Sequence, residues 1–215
     1  MQTIHWKKYR FAIILYSIIL LFLVYIVWQF ILTNPRNAPL ATGKHQIPNF
    51  PWAIWESVLY LHITCGILAL VIGPFQFVES FRKRNIRMHR LLGSIYIWSI
   101  LISFPISCYL AYYATGGVPS TIAFTVLNIF WITATILALK KVKERNIAEH
   151  QNWMLRSYAI TWVFVTFRMF MPLTSIVFGF KLGFPIAVWV ALISNILFIE
   201  WRISKRNTIK FTSAL

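Results

Sequence analysis

The sequence predicts an all-α protein embedded in a membrane: a polytopic helix bundle with six transmembrane helices and both termini cytoplasmic. Three observations carry this reading. Charged residues make up 12% of the chain, where a soluble domain carries about 25%. Six apolar stretches alternate with short polar segments, and about 20 helical residues are enough to cross a hydrocarbon core. Of the 21 Lys and Arg, all but Arg36, Lys44, Lys181 and Arg168 fall on one side of the resulting topology, and the positive-inside bias makes that side the cytoplasm. The net charge of +16 is therefore explained by topology and does not call for nucleic acid. The whole chain, 1–215, reads as a single integral domain of the cell membrane.

The first helix is expected over 11–32. It follows the basic aromatic flank Trp6-Lys7-Lys8-Tyr9-Arg10, which places the N-terminus inside, and its apolar run is too long for a signal-peptide core. Pro35, Pro39, Pro48 and Pro51 mark 33–52 as an outer loop. The second helix, 53–77, carries His62, Gly66, Ala69, Gly73 and Gln76 at steps of three and four, hence on one face. Small residues so spaced let a neighbouring helix or a flat ligand come close. The third helix, 89–113, continues the His89 face through Gly93, Tyr96, Ser103 and Ser107.

A tight turn at 115–120 follows, with Ser120 as the expected N-cap. The fourth helix, 121–139, has Asn128 as its strongly polar residue. The fifth, 150–173, places Met154, Ser157, Thr161 and Arg168 on the face of His150. A break over 179–185 leads to the sixth, 185–201, and a basic tail. Cys65 and Cys108 lie inside apolar segments and read as small core residues.

Arg84-Asn85-Ile86-Arg87-Met88-His89 and Arg145-Asn146-Ile147-Ala148-Glu149-His150 share the pattern R-N-I-x-x-H. Each copy ends a basic loop and delivers a histidine to the mouth of a membrane helix, so the two hairpins read as a parallel repeat. With His62 deeper in the bundle, three histidines on three helices suggest a shared site, and imidazole suits both haem iron and zinc. His89 and His150 start helices that run in the same direction, so they can ligate one flat ring from opposite sides. Arg90 and Arg156 could pair with its carboxylates. The cofactor-binding set is thus His89, His150, His62, Arg90, Arg156, Gly66, Gly93 and Tyr96, with His89 and His150 as the metal ligands. For zinc chemistry, Glu149 is the carboxylate near a key histidine. Glu56 and Arg168 fall at similar depths near the outer ends of helices two and five and are expected to form a structural ion pair.

The segments His62-Ile63-Thr64-Cys65-Gly66, His89-Arg90-Leu91-Leu92-Gly93-Ser94-Ile95-Tyr96 and His150-Gln151-Asn152-Trp153-Met154-Leu155-Arg156-Ser157-Tyr158-Ala159 resemble the bacterial multi-pass membrane family called domain of unknown function 2306, over about 55–175. That family brings no settled activity. More loosely, the layout is similar to the four-helix cores of b-type transmembrane cytochromes, where histidines on neighbouring helices hold haem. Those di-haem proteins use four histidines in paired positions, and the three candidates here allow one bis-histidine haem b at most. The leading expectation is haem binding near the cytoplasmic face and membrane electron transfer, with a quinone or another redox partner. The alternatives are a metal-dependent membrane enzyme, with zinc, or a non-catalytic assembly or lipid-binding protein. Whether the chain is an enzyme, and in what oligomeric state, is left open by the residues.

Overall fold

The computed structural model describes residues 2–41 and 43–212, and the described residues are helical, with turns and no strand. They form two compact units, Met1–Phe50 and Pro51–Leu215.

In the first unit, α1 (Gln2–Val27) runs on into a π-helical turn, Trp28–Leu32, which Thr33 closes through its N–H to the Trp28 carbonyl at 3.0 Å. Three short 3₁₀ turns follow. Asn34 starts the first by accepting the Arg36 N–H at 2.9 Å. The buried Lys44 donates Nζ to the Leu40 carbonyl at 2.5 Å, and burial pushes its ammonium down to about 8.

The second unit contains α2 (Trp52–Gln76), α3 (Glu79–Arg84), α4 (Ile86–Tyr112), α5 (Val118–Lys143), α6 (Ile147–Thr161) and α7 (Val163–Thr212). Five helical stretches of the chain are long and apolar enough to cross a membrane: Ala12–Leu32, Trp52–Gln76, Ile86–Tyr112, Val118–Lys143 and Ile147–Asn207. The last folds back on itself. Gly179 sits at φ 72°, ψ 159°, a conformation open mainly to glycine. Thr174 Oγ1 donates to the Gly183 carbonyl at 2.8 Å. A Cβ on Gly183 would lie 2.6 Å from the Ser175 backbone. In a straight helix, residues 174 and 183 would stand about 13 Å apart. Farther out, Asn195 donates to the Ala159 carbonyl at 3.0 Å and Glu200 meets Arg156, so α7 returns antiparallel along itself and then along α6.

Helices α2, α4, α5 and α6 pack as a ring in which α2 lies along α4, α4 against α5, α5 along α6, and α6 against α2. The last contact has a covalent origin. Pro74 has no N–H, so the Leu70 carbonyl lacks its helical partner. The Tyr158 hydroxyl supplies one at 3.0 Å, and the ring occupies the place where a Cβ on Gly73 would sit, 2.1 Å from Cε2. At the ring's centre, Tyr96, Trp131, Thr135, Ser157 and Thr161 are fully buried. Tyr96 Oη shares hydrogens with Ser157 Oγ at 2.9 Å and Thr161 Oγ1 at 3.2 Å. Trp131 Nε1 donates to Thr161 at 3.0 Å, and Thr135 meets Ser157 at 2.8 Å. Each of these four hydroxyls therefore has a partner, as a low-dielectric interior requires.

Several boundaries differ from the sequence reading. α4 and α6 begin three residues early, at Ile86 and Ile147. α5 begins at Val118 with Gly117 before it, so Ser120 lies inside the helix and is not its cap. The sixth apolar stretch begins right after Gly179 and not at Pro185, and helix continues to Thr212. Cys65 is buried as expected, whereas Cys108 is exposed.

Candidate functional site

The repeated R-N-I-x-x-H motif is a helix start. Asn85 Oδ1 accepts the Met88 N–H at 3.1 Å, and Asn146 Oδ1 accepts the Glu149 N–H at 3.1 Å. Each asparagine is thus an N-cap. Each histidine N–H makes the first turn's bond to the cap carbonyl, at 3.1 Å for His89 and 2.9 Å for His150. Both histidines therefore occupy the same position of the first helical turn. Seven residues on from each, Tyr96 and Ser157 touch at 2.9 Å. The two helices thus run parallel and in register, and the histidines share one level about 10 Å before that contact.

His150 Nδ1 lies 2.8 Å from the Ala138 carbonyl. A carbonyl only accepts, so Nδ1 carries the proton and Nε2 keeps its lone pair. His89 Nδ1 is buried with no hydrogen-bond partner among the described residues. His150, Arg82 and Arg90 all lie within electrostatic reach of His89. Gln76 ends α2 over Gly93, its Oε1 3.1 Å from where a Cβ on Gly93 would be, one turn from His89 on the same face. Its Nε2 is also buried without a partner among the described residues. In the adjoining loop, a hydrogen bond from Lys141 at 2.7 Å holds the Glu144 carboxyl below the usual carboxylate range.

The other candidates go elsewhere. His62 Nδ1 bonds Ser103 Oγ at 2.8 Å, and its ring meets Phe164 edge-on at 5.4 Å. Ser103 lies 14 residues beyond His89, about 21 Å along α4, so His62 stands on a second level, apart from the pair. Tyr96 belongs to the core network. A Cβ on Gly66 would meet nothing within 4 Å, so that glycine admits no neighbouring helix. Arg156 is engaged by Glu200 through two bonds, 2.5 and 2.9 Å, and lies 4.5 Å from the Trp153 ring centre. Arg90 is exposed. Arg168 donates to the Phe164 carbonyl at 3.0 Å and acts electrostatically on His62.

Four contributors escaped the sequence reading. The caps Asn85 and Asn146 had a signal, an asparagine before an isoleucine that opens an apolar run. Glu200, the one carboxylate of the last apolar stretch, had a weaker one. Asn152, which donates to Glu149 Oε1 at 2.8 Å and accepts from Arg206 Nη2, had none.

Residues 59–203 match the model of a family described as predicted membrane protein (DUF2306). The chain belongs to that family. The match begins about a third of the way along α2 and reaches into the returning arm of α7, so the DUF2306 region takes in both histidine levels and the Arg156–Glu200 pair and runs past the end at 175 expected from the motifs. No curated protein and no solved structure gives a significant match. Among the described residues of this DUF2306 protein, no three His, Cys, Asp or Glu side chains gather as a metal cage would require. What the site offers is a pair of imidazoles with arginines nearby.

Proposed function

We propose that this DUF2306 protein is a six-span protein of the cell membrane that holds one b-type haem between His89 and His150 and passes electrons within the membrane. The observation that carries the reading is the pairing of two imidazoles at one level of two parallel, in-register helices, with His150 Nδ1 committed to the Ala138 carbonyl and His89 Nδ1 free of any described partner. A ligating histidine needs an available Nε2, and a carbonyl on Nδ1 fixes the tautomer and the ring plane. Arg82 and Arg90 would supply positive charge for the haem carboxylates. Arg156 would not, because Glu200 already holds it. The haem, when bound, supplies one-electron chemistry.

A hydrolytic zinc centre takes three protein ligands and a water, and among the described residues no group of three such donors gathers, which favours haem over zinc. The reversal at Gly179 supports six crossings, and the basic segments before α4 and α6 support cytoplasmic termini. Cysteines placed at the exposed Arg36 and Lys205 in a cysteine-free background should label from outside only at Arg36; labelling at both would end the six-span topology. For the cofactor, the protein is expressed with haem supplementation, purified, and read by its reduced-minus-oxidised spectrum. A bis-histidine spectrum is expected. A colourless protein would end the haem reading and leave the assembly or lipid-binding alternative.

A further inference from the structure

The two hairpins are related by a shift of 61 residues, which separates His89 from His150 and Tyr96 from Ser157. That shift maps Ala138, whose carbonyl holds His150 Nδ1, onto Phe77. Here the repeat breaks. Pro74 weakens the end of α2, and Phe77 is already its C-cap, its N–H turned back to the Pro74 carbonyl at 3.1 Å. His89 therefore lacks the carbonyl that His150 has, and the Gln76 amide stands at that end of α2. Two buried nitrogens, Gln76 Nε2 and His89 Nδ1, are left without a partner among the described residues. A buried donor without an acceptor is costly, so the pair calls for an acceptor oxygen.

We propose that Gln76 Nε2 and His89 Nδ1 together hydrogen-bond a carbonyl oxygen of a membrane-soluble quinone. The inference shares His89 with the haem reading and adds to it the partner at that site. If Nε2 is kept for iron, Nδ1 carries a proton, and both nitrogens donate. A carbonyl oxygen, with two lone pairs and no hydrogen, matches two donors. Phe75, Met88 and Leu91 are exposed at the same ends of α2 and α4, so an apolar ring and tail can arrive from the bilayer. A lipid phosphate oxygen shares the acceptor chemistry, and the experiment separates the two.

The full chain is placed in nanodiscs of phosphatidylcholine alone and titrated with decylubiquinone, following the saturable part of tryptophan quenching. Saturable binding is expected. Gln76→Met, and Gln76→Glu as a variant that keeps the shape, should weaken it roughly 2- to 10-fold, the loss of one hydrogen bond. His62→Ala, on the other level, should leave it unchanged. Thermal midpoints confirm that each variant is folded. No saturable component, or equal affinity in wild type and both Gln76 variants, overturns the proposal. Loss of binding when phosphatidylglycerol replaces part of the phosphatidylcholine assigns the site to an anionic lipid headgroup and overturns it as well. A Soret band without quinone binding removes this proposal alone, whereas quinone binding without a Soret band removes only the haem.

Discussion

The bond from Tyr158 to the Leu70 carbonyl exists because Pro74 cannot make it, and this can be tested as a coupling. In Tyr158→Phe the ring still fills the notch at Gly73, but the Leu70 carbonyl loses its acceptor role inside the bundle. An unsatisfied buried carbonyl costs about 1–3 kcal/mol. Pro74→Ala restores an N–H at the position that would bond Leu70 within the helix. In that background the Tyr158 hydroxyl becomes dispensable, and its removal should cost under about 1 kcal/mol. The expected coupling is therefore about 1–2 kcal/mol. Unfolding in mixed micelles of increasing dodecyl sulfate fraction, followed by tryptophan emission, measures all four members of the cycle. Equal losses from Tyr158→Phe in both backgrounds would refute the argument, because the hydroxyl would then owe nothing to the proline.

Gly73→Ala should destabilise by about 1–3 kcal/mol, since its Cβ would overlap the Tyr158 ring, and Tyr158→Ala in the same chain should relieve that clash; the same micelle assay reads both. Arg156→Gln should cost about 1–2 kcal/mol, less than a fully buried pair, because the Glu200 side chain is 44% exposed, and should leave the Soret band in place; loss of the band would return Arg156 to the cofactor site. Glu56→Gln and Arg168→Gln should be non-additive in the same assay if the two side chains pair, and strict additivity would contradict the pair. Lys44 should titrate near 8 where an ordinary lysine titrates at 10.5. The unfolded chain then holds the extra proton between those values, so stability of the first unit rises with pH across that window. Nitrogen-15 NMR of Nζ checks this, and a midpoint at the ordinary value would contradict it.

The spans were legible because apolar length is a local property. The starts of α4 and α6 were placed late because Ile86-Arg87-Met88 and Ile147-Ala148-Glu149 are polar enough to read as loop, and only the asparagine caps mark them as helix. The break over 179–185 is legible and contains Gly179, but the helix after it reads as starting at Pro185 because a proline is visible in a sequence, whereas the positive φ of Gly179 is a property of the folded chain. The histidine pair was legible from the echo of R-N-I-x-x-H. The place of His62 on a separate level was not, since its partners Ser103 and Phe164 are 41 and 102 positions away. Gly73 read as room for a ligand for the same reason: the Tyr158 ring that fills it comes from another helix. Arg156 read as a carboxylate clamp and is one, but the carboxylate is Glu200 of its own chain, 44 residues on.

Haem content across single-histidine variants tests the two-level account most directly. The full-length protein, His89→Ala, His150→Ala and His62→Ala are expressed with haem supplementation, and haem per protein is measured as the pyridine haemochrome. The account predicts one haem per chain in the wild type, retention in His62→Ala, and loss or a five-coordinate spectrum in each of the other two. Retention of a six-coordinate haem in His89→Ala or His150→Ala, or its loss in a folded His62→Ala, would contradict it.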